Sequence, residues 1–198
     1  MITLKIFKPL HMQFWLNPAS ALANELEQKI SPNLRYVVGT IGYIQTIPNP
    51  NNYEKVSFRS INDNSYRAWY EELYKDFHSN NEELKDWVPV NDEDDMNACL
   101  KDRLLFLTCI ENEKAGLIAA KRKDLLGKSG VYMTEVLLSK DFKGKGYAPA
   151  IQRKFIDELP KDIELVWGTI DTRNVSSTKS AFRVGRRSIR SEFFVPID

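Results

Sequence analysis

Apolar residues along this chain recur with periods that change from place to place, and each change marks the edge of an element. Residues 1–8 suit a short strand. Asn17-Pro18 then opens a stretch over 19–30 in which Leu22, Leu26 and Ile30 recur at every fourth position, the spacing of one helix face. Residues 34–39 and 41–47 are two β-type runs around Gly39 and Gly42, which predicts a hairpin. The run over 47–52 is dense in Pro and Asn and forms the sharpest boundary in the chain. It divides an N-terminal extension, residues 1–53 (strand, helix, hairpin), from a larger region, residues 54–198.

Past the boundary, residues 56–60 alternate as a strand. Asn62, Asp63 or Asn64 can cap the next helix, where Trp69, Leu73 and Phe77 at spacing four predict the buried face. Residues 80–101 suit one or two short helices around Pro89, and 104–110 and 116–121 are strands joined by a polar turn. A strong strand at 131–138 leads through a Gly-rich turn into a helix ending near Leu159, with Ile151, Phe155 and Leu159 facing inward. Pro149 is tolerated because it falls in the first turn of that helix. A strand at 163–170, a helix at 174–185 capped by Asn174, and a strand at 191–197 complete an α/β pattern.

Composition narrows the function. Apolar residues at 42% and charged residues at 28% suit a globular chain with a sizeable core. The 28 basic and 27 acidic residues nearly cancel, so charge gives no reason to expect nucleic acid or a polybasic membrane contact. Two cysteines, Cys99 and Cys109, cannot build a disulfide framework or a four-thiolate metal site. Asp92-Glu-Asp-Asp95 lacks calcium-loop spacing and suits a helix N-terminus instead. No metal is expected. The apolar start is broken by Lys5, Lys8 and Pro9, unlike a signal peptide, and a cytoplasmic protein is expected.

The chemistry concentrates in strand, turn and helix over 131–158. Gly144 and Gly146 permit backbone angles and close approach that side chains resist. The first helical N–H groups lack internal partners and, with the helix dipole, suit a phosphate. Lys143 and Lys145 add charge. A purely conformational turn is the alternative on glycine spacing alone. Gly127-Lys128-Ser129 is no P-loop, because Arg122 stands where its first glycine belongs, and the turn has too few glycines for a dinucleotide fingerprint.

Lys143, Gly146 and Ala148, with the additional Gly144, resemble the Arg/Gln-x-x-Gly-x-Gly/Ala motif of the GNAT (GCN5-related N-acetyltransferase) superfamily. The order of elements from Val56 onward, and the Asn174 to Gly185 spacing, resemble that family too. The resemblance covers roughly 54–198 and departs from the motif at Lys143. It implies a mixed, mostly antiparallel splayed sheet flanked by helices, to which residues 1–53 would add a helix and hairpin. It implies acetyl-CoA as acyl donor and an amine as acceptor, either a small molecule or a protein amine. The pyrophosphate would lie on the amides of Lys143, Gly144, Lys145, Gly146, Tyr147 and Ala148. The pantetheine arm would pair with Val136, Leu137 and Leu138, with the Leu138 amide near the thioester oxygen. Asn174 and Ser177 would approach from the other side.

The resemblance leaves the catalytic groups more open. Relatives often place a tyrosine seven residues after the asparagine, where this chain has Ala181. Tyr147 or Ser180 would have to protonate the thiolate, or it would leave unaided. Glu135 is the candidate base, with Asp171 second, although Thr134 holds the position that relatives give to the acid. Arg183, Arg186, Arg187 and Arg190 form either a patch for the cofactor's 3′-phosphate or an acidic acceptor, or a solvated helix end. A non-catalytic acyl-CoA-binding module is the alternative function, and a homodimer is compatible with either.

Overall fold

A computed structural model of the chain describes residues 11–27, 29–30 and 33–196. In chain order the elements are β1 (His11–Leu16), α1 (Ala21–Glu27), β2 (Leu34–Thr40), α2 (Ile41–Thr46), β3 (Val56–Ser60), α3 (Arg67–Ser79) and α4 (Glu93–Lys101). There follow β4 (Leu105–Ile110), β5 (Glu113–Arg122), β6 (Gly130–Leu138), α5 (Tyr147–Asp157), β7 (Leu165–Asp171), α6 (Val175–Arg183) and β8 (Arg187–Pro196). The eight strands form one sheet in the order β1-β8-β2-β7-β6-β5-β4-β3, antiparallel throughout except where β6 meets β7.

The sheet buries a core on each face. On one side α5 lays Ile151, Phe155 and Ile156 against Ile118, Val131, Met133 and Val166. On the other, α3 and α4 cover Leu105, Leu117, Ala119 and Leu137. The α3 face is not the one that its apolar spacing predicts. Tyr70, Leu73 and Tyr74 are buried, while Trp69 and Phe77 are only partly so. The tyrosines turn inward because each hydroxyl finds a buried carboxylate; Trp69 instead lies under the Lys114 ammonium.

The N-terminal region differs most from expectation. The strand expected over 1–8 lies outside the described residues, and the first strand found is β1. The predicted hairpin is absent: 34–40 is a strand, but 41–46 is a short helix. The reason is remote in sequence. The buried Arg153 guanidinium, braced by Asp157, donates to the carbonyls of Ile44 (2.9 Å) and Ile47 (2.6 Å), which gathers the end of the helix. Among the described residues before 54, β1 and β2 share one sheet with the rest, and β2 is an inner strand between β7 and β8. Among the described residues no helix is long and apolar enough to cross a membrane.

Candidate active site

The parallel pairing of β6 and β7 lasts three residues, Gly130 to Tyr132 against Leu165 to Trp167. Beyond it the strands part, and the fork is a cavity of about 1070 Å³ with Met133 to Leu138 on one wall and Gly168 to Asp171 on the other. A bulge sharpens the split. Glu135 stands opposite Ala119 and Met133 opposite Ala120, so Thr134 has no partner across the ladder. Met133 therefore joins the α5 core, whereas Glu135 faces α3. An unbroken strand would put both on one face.

The same strand offers backbone groups to the cavity. Ser139 N–H donates to Ala115 O at 2.8 Å, which makes that pair hydrogen-bonded. Alternation along an antiparallel ladder then directs the backbone of Leu137 and Glu135 at β5, and that of Val136 and Leu138 toward the vacated side. The N–H of Val136 is engaged by its neighbour, the Glu135 Oε1, at 2.9 Å.

At the mouth, Gly144 (φ 74°) and Gly146 (φ 80°) take left-handed conformations, and Gly146 caps α5 without a side-chain hydrogen bond. A methyl at Gly144 would meet nothing within 4 Å, so the glycine answers to backbone angle and leaves the surface open. Gly144, Gly146, Tyr147 and Ala148 line the cavity. Lys145 does not; it is exposed, and its carbonyl accepts from Asn52 Nδ2. Lys143 lines the cavity, but its ammonium lies over the Phe77 ring, 4.8 Å from the centroid, and burial lowers its pKa. The Asn174 side chain accepts from Ser177 N–H at 3.1 Å, the expected helix cap, and both residues line the far wall.

Glu135 is neither solvated nor free. It is 8% exposed, and its Oε2 accepts from Tyr70 OH (2.7 Å), Tyr74 OH (2.7 Å) and Asn91 Nδ2 (3.0 Å). Burial raises its pKa, opposed by the donors around it. Both phenols are held protonated, by burial first and by the nearby carboxylate next. Sequence reasoning missed Tyr70, Tyr74 and Asn91 as polar partners. The one available signal was a pair of tyrosines at helical spacing four.

Asp171, the second acid, is bound to Arg173 through Nε at 2.7 Å. That guanidinium in turn stacks 3.4 Å from the centroid of the half-exposed Trp87 ring, across the rim of the cavity. Ser180 Oγ accepts from Gln152 Nε2 at 2.6 Å, and Ala181 is buried. The four late arginines do not make a patch. Arg183 is exposed on the cavity, Arg187 donates to the Phe182 carbonyl, and Arg190 stacks on Trp15 and Tyr36. Arg186 is buried.

Solved structures share this fold. A GCN5-related N-acetyltransferase from Sphaerobacter thermophilus aligns over 93% of this chain and 58% of its own, with TM-score 0.58 and 16% identity. A GNAT-family acetyltransferase from Colwellia psychrerythraea aligns over 93% and 64%, with TM-score 0.55 and 9% identity.

The chain has the GNAT fold.

A GCN5-related N-acetyltransferase from Kribbella flavida agrees, at TM-score 0.51 and 11% identity over 93% of the chain. The chain spans less than two thirds of the length of the first two of these GNAT structures. At such identities the likeness is one of fold. No known family profile and no curated protein matches the sequence.

Proposed function

We propose that this chain is an acyl-CoA-dependent N-acyltransferase, moving an acyl group (acetyl in the simplest case) from its CoA thioester to a primary amine. The observation that carries this reading is the fork itself. Val136 and Leu138 turn backbone groups into a cavity whose mouth is the N-terminus of α5, where no side chain caps the first amides. An extended arm carrying amides at one end and phosphates at the other matches both features. The phosphates would rest on the amides of 144–148, with the exposed Lys179 and Arg183 of α6 supplying charge.

Chemistry would follow at the bulge. The amine approaches from the α3 face and gives up a proton to Glu135, directly or through a water. A raised carboxylate pKa makes Glu135 a stronger base than an exposed glutamate. The free amine attacks the thioester carbonyl, forming the C–N bond; the tetrahedral intermediate then breaks its C–S bond, and the proton that the former amine nitrogen sheds goes to the departing thiolate. The Leu138 amide faces the cavity and would donate to the oxyanion.

One observation favours a second reading, a module that binds acyl-CoA without turnover. Position 181 is a buried alanine, and the Val136 N–H is already engaged by Glu135. Thiol release from acetyl-CoA with a panel of amines separates the two. Amine-dependent release supports the enzyme. Binding of acetyl-CoA with no release for any amine, including lysine-bearing peptides, supports the module.

A further inference from the structure

Arg186 is used by neither the chemistry above nor the fold's ion pairs. It follows α6, is 3% exposed and lines the cavity. Its guanidinium sits at the apex of the fork. A Cβ on Gly168 would come within 3.2 Å both of an Arg186 terminal nitrogen and of the Met133 carbonyl oxygen. Nη1 donates to Gln152 Oε1 at 3.1 Å and Nη2 to the Val37 carbonyl at 3.2 Å, while the Nε–H has no partner. No carboxylate among the described residues offsets its charge. Burial pushes its pKa down to about 10, so it stays a cation at neutral pH. Buried charges are ordinarily paired, because desolvation is otherwise uncompensated.

Position decides what could pair it. An arm lying from Leu138 toward Val136, with its phosphates at the α5 N-terminus, points its reactive end at the apex. Glu135 occupies the α3 face of the fork and Arg186 the α5 face. A group that meets Arg186 therefore continues from the donor, on the side away from the acceptor. We propose that Arg186 receives a carboxylate at the end of the acyl chain, so that the preferred donor is a CoA thioester of a short dicarboxylic acid. This rests on the acyl-CoA reading and narrows its donor.

Calorimetric titration of the full chain with succinyl-CoA, butyryl-CoA and free CoA tests it, since the two acyl chains match in length and differ in charge. Succinyl-CoA should bind about tenfold or more tightly than butyryl-CoA, as a charge-assisted contact allows. Arg186→Met should erase that preference and keep affinity for free CoA; Arg186→Lys should retain part of it. The wild-type comparison decides even where Arg186→Met fails to fold. Equal affinity for the two thioesters overturns the proposal and leaves the acyl-CoA reading standing. Binding of none of the three, free CoA included, removes both. A charge preference confined to the amine, β-alanine over propylamine, also overturns it and assigns Arg186 to the acceptor.

Discussion

Glu135 and Arg186 are both charges buried at the β6/β7 fork, on opposite faces, and the protein treats them in opposite ways. The carboxylate accepts from two phenols, an amide side chain and a backbone N–H. Among the described residues the guanidinium keeps one N–H without a partner and has no counter-charge. A saturated network of this kind fixes one geometry, while an unsatisfied group stores a demand that a ligand can meet. On the proposed reading, the α3 face holds a proton acceptor in place, and the α5 face meets a group that the ligand supplies.

The largest effect should come from Glu135→Gln, which keeps the shape and removes the base. Thiol release should fall by roughly 10²–10⁴-fold, the usual worth of a positioned proton acceptor. An unchanged rate would move the base elsewhere. In the wild type the acid limb of the rate profile should lie above about 4.3, the ordinary glutamate value, because burial raises the pKa of Glu135. Stability carries the same sign. A carboxyl whose pKa is raised by folding contributes stability below its unfolded pKa and loses it as pH rises through the folded value. The variant, which does not ionise, should therefore lose less stability than the wild type between mildly acidic and neutral pH.

Next in size is Tyr74→Phe. Removing one hydroxyl from a buried carboxylate should cost about 1.5–3 kcal/mol in urea unfolding at neutral pH. It should also push the acid limb higher, because that hydroxyl favours the charged form. If neither moves, the Glu135 network is not the tight one described.

How much of this was legible in the sequence follows how local each cause is. The β6 strand, the turn and α5 were legible, because Gly144, Gly146 and Pro149 act on their own backbone. So was the Asn174 cap, which reaches three residues. The acidic run at 92–95 was legible as a helix N-terminus, but its cap was not: the Asp92 side chain accepts from Asp95 N–H at 2.7 Å. The α2 helix was not, since the groups that end it belong to Arg153, more than a hundred residues away. Nor was the solitude of Arg186. It looked like one of four surface arginines, but Gly39 and Gly168 leave room for its side chain inside the fold. The buried face of α3 was misjudged because tyrosine counts as amphipathic until the carboxylate that accepts its hydroxyl is known.

Two smaller predictions sharpen the contrast between the faces. Gly146→Ala has space for its methyl, with the nearest atom 3.9 Å away, so only the left-handed backbone opposes it. The cost should be about 1–2 kcal/mol in stability, with weaker CoA binding. Trp87→Ala removes the ring under Arg173 at the rim and should cost about 0.5–1 kcal/mol, the smallest effect of the set, while CoA affinity stays as it was.

The claim beneath all of these is that the fork holds a CoA thioester, and thermal unfolding with acetyl-CoA, using ATP and NAD as controls, tests it most directly. A ligand at 100 times its dissociation constant stabilises by about 2.7 kcal/mol, or roughly 5–10 °C for a chain of this size. A shift of that order with acetyl-CoA alone is the predicted result. No shift at millimolar acetyl-CoA would contradict it, and would leave the glycine turn at 143–148 with a conformational role only.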